Sequence, residues 1–184
     1  SLDPVFEIYE HLAKAHVKGK CQKQVLDAMA NYKALTLTSL DSINKRFSGN
    51  IKARILTLGG ELAMSTLADY ILKSNGLDSC AISLENWPIV TDDNFEDAAP
   101  NYDLSLKRID SLLGPLEDGK IVSLAGFLGV TVDGLETILG RGGSDLTAVF
   151  ISCLLKNIYQ TETLLYKDVP VQSADPKVVK GQKT

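Results

Sequence analysis

The feature that most constrains this chain is a glycine-rich string, Gly140-Arg141-Gly142-Gly143-Ser144-Asp145, set between an apolar strand-like run and an apolar helix-like run. The glycines allow a sharp turn and a close approach of the backbone to a ligand, and Ser144 or Asp145 can cap the helix that follows. Backbone N–H groups at a helix start favour an anion, and the Arg141 guanidinium can hold a carboxylate or phosphate with two parallel hydrogen bonds. Taken alone, the string fits an anion site and a plain glycine-rich loop equally well.

Size and composition fit one globular domain, because 184 residues with 45% hydrophobic side chains can bury a core. The net charge is −4 and no basic block is present, so we expect no nucleic-acid partner. The apolar runs are shorter than a membrane-spanning helix, and we expect no membrane segment. Cys21, Cys80 and Cys153 are too widely spaced for a zinc site or a disulfide framework and favour a reducing, cytoplasmic environment.

Hydrophobic periodicity predicts a helical first third, followed by alternating strands and helices. The predicted helices cover residues 3–18, 21–34, 39–47, 61–73, 104–113 and 144–156, and the predicted strands cover 55–58, 80–84, 121–125 and 163–166. Asp133-Gly134 predicts the tip of a hairpin. Continuous apolar strands alternating with helices predict an α/β fold, a three-layer α/β/α sandwich with a mainly parallel sheet.

In such a sheet, loops that follow parallel strands meet at one edge, where ligands bind. We therefore expect a set of charged residues from three loops to converge, namely Glu61, Arg141, Asp145, Lys167, Asp168 and Lys177. Mixed charges beside glycines suit a zwitterion and a nucleotide better than an apolar ligand. Plainer interpretations remain open at this point: Glu61 as a helix-start acid, Asp145 as a cap, Asp168 as a turn residue and the lysines as solvated surface groups.

These loops resemble the aspartokinase branch of the amino acid kinase family over roughly residues 51–179. The matching strings are Thr57-Leu58-Gly59-Gly60-Glu61, Thr91-Asp92-Asp93-Asn94-Phe95, Gly126-Phe127-Leu128-Gly129, Thr137-Ile138-Leu139-Gly140-Arg141-Gly142-Gly143-Ser144-Asp145-Leu146-Thr147-Ala148, Tyr166-Lys167-Asp168-Val169 and Ala174-Asp175-Pro176-Lys177-Val178-Val179. The resemblance implies transfer of the γ-phosphoryl group of ATP, with Mg²⁺ held mainly by the phosphates, to the β-carboxylate of L-aspartate. It also implies a place at the first step of lysine, threonine and methionine synthesis. The family's first two strands have no counterpart in this sequence, which would leave an open sheet edge or an uncovered apolar face, so we expect a homo-oligomer.

The resemblance also implies roles for individual residues. Glu61 would hold the substrate ammonium, Arg141 would clamp the α-carboxylate, and Phe127 and Ser144 would line the pocket. Asp145 would act electrostatically at the reacting centre, together with Arg141. The nucleotide side would be formed by Gly142, Gly143, Lys167, Asp168 and Lys177. No protein ligand for a metal is implied, and the Thr91–Asn94 stretch is expected to be a structural loop.

The family's Lys-Phe-Gly-Gly phosphate loop has no counterpart, because no Lys-x-Gly-Gly string occurs in the sequence. We therefore expect a partial kinase domain truncated at both ends, with a helical part at 1–50, an α/β core at 51–184 and no regulatory ACT domain. Loss of one such charge-stabilising donor typically costs about 10²–10³ in rate, so the chain alone is expected to be nearly inactive. Two alternatives stay open: a natural short relative that serves as a non-catalytic binding or partner subunit, and a sister kinase for another carboxylate.

Overall fold

The computed structural model of the protein describes residues 2–43 and 48–167. These residues form seven α-helices and four short strands, with a π-helical segment and a 3₁₀ turn. The helices are α1 Asp3–His16, α2 Gly19–Ile43, α3 Gly49–Leu56, α4 Ala63–Ser74, α5 Tyr102–Leu106, α6 Asp110–Glu117 and α7 Gly143–Leu155. The strands are β1 Ser79–Ala81, β2 Ile121–Ser123, β3 Leu128–Val130 and β4 Glu136–Ile138.

The first two helices pack with α4 around one hydrophobic core. Phe6 and Ala13 of α1 are buried there with Met29 of α2 and Leu67 of α4. The second and third predicted helices are in fact one helix, α2, so the predicted break near Thr36 is wrong. The Thr36 hydroxyl donates to the Tyr32 carbonyl oxygen at 2.7 Å, which accommodates a β-branched polar residue inside the helix.

A single helical stretch runs from α3 through a π-helical segment, Thr57–Leu62, into α4. The strand predicted at 55–58 is therefore wrong. A four-residue apolar run does not distinguish a strand from a buried helix segment, and here helical spacing buries Leu58 and Leu62 in the α/β core. Gly59 and Gly60, expected to form a loop, lie inside the π-helical segment.

This stretch, Gly49–Ser74, has 26 residues and is long and apolar enough, by length and composition, to cross a membrane. The apolar runs within it are short, as expected, because charged residues such as Arg54, Glu61 and Asp69 interrupt them. A core helix of a globular domain can have the same length and composition. Here Leu58, Leu62 and Leu67 are buried in the two hydrophobic cores of this protein. These buried leucines make the stretch a core helix.

The strands form two small sheets. β1 and β2 pair in parallel with Cys80 opposite Val122, and helices α4 and α6 pack against them. β3 and β4 form an antiparallel hairpin with Gly129 opposite Thr137, and the predicted tip is confirmed by a 2.8 Å hydrogen bond from the Thr131 N–H to the Leu135 carbonyl.

The hairpin is fixed to the α/β core by Trp87, whose indole N–H donates to the Leu128 carbonyl at 3.1 Å.

Two predictions for the second half of the chain are wrong. The described residues contain no strand at 163–166, where Leu164 and Tyr166 are 63% and 90% exposed. The single helix predicted at 104–113 is divided into α5 and α6. Helix α6 continues through Pro115 instead of stopping at Gly114-Pro115, because Leu112 and Leu116 on either side of Pro115 pack against the core.

Candidate functional site

The glycine-rich string forms the turn that leads from β4 into α7. Gly140 and Gly142 have φ angles of 68° and 77°, which favour glycine, and a Cβ atom at Gly140 would collide with the Asp97 carboxylate. The Gly143 N–H donates to the Gly140 carbonyl at 3.2 Å and closes the turn. Sequence alone gave no reason to place Asp97 beside this turn.

Helix α7 begins without the side-chain cap expected from Ser144 or Asp145, because its N-cap residue is Gly142. Leu146 makes the first of the helical i→i−4 bonds, to the Gly142 carbonyl at 3.1 Å. The amides of Ser144 and Asp145 precede that bond and have no acceptor within the helix. They are therefore available to an anion, and the helix dipole favours one.

Phe127 is held against this turn with a φ of 66°, and it is the one non-glycine residue with a positive φ among the described residues. Its N–H donates to the Thr147 hydroxyl at 3.1 Å, and its carbonyl accepts the Leu139 N–H at 2.9 Å. A bulky residue in this region carries a strain of about 1–3 kcal/mol and persists only where its surroundings fix it. Such strain is common at binding sites.

A cavity of about 400 Å³ lies over the turn. It is lined by Glu61, Phe127, Gly140, Arg141, Gly142, Gly143, Ser144, Asp145 and Lys167. Residues from the π-helical segment, the turn, α7 and the segment after it therefore meet, as the sequence predicts for Glu61, Arg141, Asp145 and Lys167. Asp168 and Lys177 lie outside the described residues.

The charges in the cavity fall into two groups. Lys167 Nζ lies 2.5 Å from both carboxylate oxygens of Asp145, and both side chains are well exposed. Within residues 2–43 and 48–167, the side chains of Glu61 and Arg141 have no hydrogen-bond or ion-pair partner. A carboxylate and a guanidinium that are both unpaired and face the same cavity match the ammonium and carboxylate of a zwitterion.

Two contacts that sequence reasoning missed support the elements of the site. The Tyr9 hydroxyl of α1 lies 3.1 Å and 3.2 Å from the carbonyl oxygens of Gly59 and Gly60, the two residues before Glu61. Arg54 of α3 forms an ion pair with Glu136 of β4, whose side chain is buried. Tyr9 and Gly59 are 50 residues apart in the sequence, and Arg54 and Glu136 are 82 apart, so no local pattern indicates either contact.

The residues present fit the phosphates of a nucleotide, because the α7 amides and the Lys167 ammonium are the kinds of donor that phosphate oxygens accept from. The fit for a metal bound by protein ligands alone is poor. No group of three or more His, Cys, Asp or Glu side chains in the described part of the chain could hold one. A magnesium ion here would keep mainly phosphate and water ligands, as Mg²⁺ usually does.

A larger cavity, about 710 Å³, lies beside the hairpin tip and contains none of the predicted site residues. Arg108 lines it and donates to the Val132 carbonyl at 3.3 Å.

Thr91, expected to be structural, is buried beneath the same hairpin, and its hydroxyl shares a 2.8 Å hydrogen bond with the Thr137 hydroxyl. Volume alone therefore does not identify the functional cavity. The unpaired charges of Glu61 and Arg141 favour the smaller cavity.

The fold and this turn are those of the amino acid kinase family, and the chain belongs to that family, whose model matches residues 8–184. Aspartokinases are among its curated relatives. That of Helicobacter pylori is 37% identical over 183 residues, covering 97% of this chain and 42% of the relative. That of Chlamydia trachomatis is 34% identical over 149 residues, covering 78% of this chain and 32% of the relative. The chain thus spans well under half the length of these relatives.

Solved structures confirm the fold class. A crystal structure of E. coli aspartokinase III in complex with lysine and aspartate matches with a TM-score of 0.74 at 20% identity, over 97% of this chain and 44% of that one. A second crystal structure of that enzyme, in complex with aspartate and ADP, matches with a TM-score of 0.70 at 22% identity, with the same coverage. The predicted α/β fold of the amino acid kinases is therefore confirmed.

Proposed function

We propose that this chain supplies the substrate-binding part of an aspartate kinase domain, which transfers the γ-phosphoryl group of ATP to the β-carboxylate of L-aspartate. The observation that carries the proposal is the pair of unpaired, oppositely charged side chains, Glu61 and Arg141, that line one cavity. Glu61 accepts hydrogen bonds from the α-ammonium, and Arg141 binds the α-carboxylate. The β-carboxylate then faces the amides at the start of α7. Aspartokinase relatives, and an aspartate-bound structure of the same fold, support this assignment.

The phosphate side of the site is proposed to be formed by Gly142, Gly143 and Lys167, together with Asp168 and Lys177. Lys167 holds Asp145 at 2.5 Å in the described structure, so a phosphate group would compete with Asp145 for the same ammonium. Asp145 and Arg141 act electrostatically on the reacting groups, and Phe127 and Ser144 shape the pocket. Bound Mg²⁺ would offset the negative charge of the phosphates, which is the main demand of phosphoryl transfer. The sequence has no Lys-x-Gly-Gly string, and we expect slow transfer by this chain alone.

The first test is calorimetric titration of the chain with L-aspartate, comparing Arg141→Ala with the matched control Arg108→Ala. A bond between charged groups contributes about 1.5–3 kcal/mol, so Arg141→Ala should weaken binding by about 10–100-fold. Arg108 lies at the other cavity, and its variant should bind as the wild type does. Equal binding by both variants, or no binding by a folded wild-type chain, would contradict the assignment.

We also propose a cytoplasmic homo-oligomer. The three cysteines are free, which suits a reducing compartment. Apolar side chains stay exposed along α7 and the segment after it, which favours self-association. They are Leu146, Val149, Leu164, Leu165 and Tyr166.

A further inference from the structure

The helix that presents Glu61 is not a regular α-helix at that point. Residues Thr57–Leu62 are π-helical, while the turns before and after them, in α3 and α4, are α-helical. A π-helical turn holds more residues per turn than an α-helix, is rare, and occurs often at functional sites. Glu61 is the charged residue of this segment, and it lines the cavity over the glycine turn.

Steric demand does not explain the irregular turn. A Cβ atom at Gly60 would meet nothing within 4 Å, and one at Gly59 would make ordinary contact with the Thr36 side chain at 3.6 Å. Neither glycine has a positive φ angle. Contacts that other elements make to this segment can supply the reason instead.

Such a contact comes from Tyr9 on α1, which is buried in the first helical core and packs edge-to-face on Phe6 at 5.7 Å. Its hydroxyl shares its proton between the carbonyl oxygens of Gly59 and Gly60, at 3.1 Å and 3.2 Å. A side chain thus joins the hydrogen-bond ladder of the helix from outside, one and two residues before Glu61. Burial, and then the nearby Glu61 charge, raise the pKa of Tyr9, so the hydroxyl stays protonated and remains a donor.

We propose that Tyr9 is a positioning residue, which holds the π-helical turn so that the Glu61 carboxylate points into the cavity and meets the substrate ammonium. If the π-helical turn became α-helical, the helix on one side of it would rotate about its axis by about 100° relative to the other side. This angle is the rotation per residue of an α-helix. Glu61 would then leave the cavity, or the buried residues of α3 and α4 would lose their packing. The proposal rests on the proposed function, which assigns the aspartate ammonium to Glu61.

Tyr32→Phe is a matched control for Tyr9→Phe. The Tyr32 hydroxyl also makes a partly buried hydrogen bond, to the Thr66 hydroxyl of α4 at 3.0 Å, and its ring packs against the same core. Both variants lose one hydroxyl and keep the ring, so a general loss of stability should be similar in the two. Of the two hydroxyls, that of Tyr9 bonds to Gly59 and Gly60, which precede Glu61, and that of Tyr32 bonds to Thr66, which follows it.

Two measurements on the folded chain test the proposal. Hydrogen exchange of the amides of residues 57–63 should become about fivefold faster in Tyr9→Phe and stay unchanged in Tyr32→Phe, since one hydrogen bond is lost at the turn. L-aspartate affinity, measured by calorimetry, should fall about fivefold in Tyr9→Phe and not in Tyr32→Phe. In a Glu61→Gln background, Tyr9→Phe should cause no further loss, because Tyr9 acts through Glu61.

Unchanged exchange at residues 57–63 in Tyr9→Phe would overturn the proposal, as would equal aspartate affinities of the two tyrosine variants. Additive losses in the double variant would show that Tyr9 does not act through Glu61. A folded wild-type chain that does not bind aspartate would overturn the proposed function and, with it, the ammonium assignment. The exchange result would still decide whether Tyr9 holds the turn.

Discussion

Gly140 is the residue whose replacement should disturb the turn most. Its φ angle of 68° strains any side chain, and a Cβ atom there would collide with the Asp97 carboxylate. We expect Gly140→Ala to lower the free energy of unfolding by about 2 kcal/mol, measured by urea denaturation. Gly60→Ala is the matched control, since its Cβ would meet nothing within 4 Å and should raise that free energy by about 0.5–1 kcal/mol. Similar effects of the two substitutions would contradict this account of the turn.

At the level of single residues, the sequence identifies the charged residues of the cavity. It does not identify the residues that hold them in place. Glycines that permit a turn identify Arg141 and Asp145 by proximity, and Glu61 follows a second glycine pair. No local sequence pattern indicates that Tyr9 and Asp97 contact the site. Their importance comes from chain segments that meet only in the folded protein.

The Arg54–Glu136 ion pair connects two elements that lead into the site, α3 towards Glu61 and β4 towards Arg141. The Glu136 side chain is 7% exposed and that of Arg54 is 35% exposed, so removing the cation leaves a nearly buried carboxylate unpaired. We expect Arg54→Met to destabilise the fold by about 2–3 kcal/mol, somewhat less than for a fully buried pair. Thermal or urea unfolding measures this change.

The double variant Arg54→Met/Glu136→Met is the control for that interpretation. Replacing both charges by apolar side chains removes the unpaired carboxylate, so the double variant should recover most of the lost stability. A double variant that is as unstable as the sum of the single variants would show that packing, and not the unpaired charge, causes the loss.

The wrong predictions of secondary structure share a physical cause. The local sequence signals favour one structure, but tertiary packing determines another. The apolar run at 55–58 became helical because Leu58 and Leu62 share one buried face, and α6 continued through Pro115 because Leu112 and Leu116 pack on the core. The 163–166 run forms no strand within the described structure and pairs with none of the four strands there. The hairpin tip and α7, whose signals need no distant partner, were predicted correctly.

At the scale of the whole molecule, the exposed apolar face of α7 and the following segment predicts self-association. The side chains of Leu164 and Tyr166 are 63% and 90% exposed, although both are large and apolar. We expect sedimentation velocity to show dimers or larger species, and the double substitution Leu164→Ser/Tyr166→Ser to shift the population towards monomer. A wild-type chain that stays monomeric at high concentration would contradict this prediction.

The most direct test of the central claim is a comparison of three ligands by calorimetry on the wild-type chain, Glu61→Gln and Arg141→Ala. Succinate lacks the α-ammonium of L-aspartate, and β-alanine lacks its α-carboxylate. The account predicts that the wild type prefers aspartate over both by about 10–100-fold, that Arg141→Ala no longer distinguishes aspartate from β-alanine, and that Glu61→Gln no longer distinguishes aspartate from succinate. A wild-type chain that binds the three ligands equally, or variants that keep the wild-type preferences, would show that Glu61 and Arg141 do not form an aspartate site.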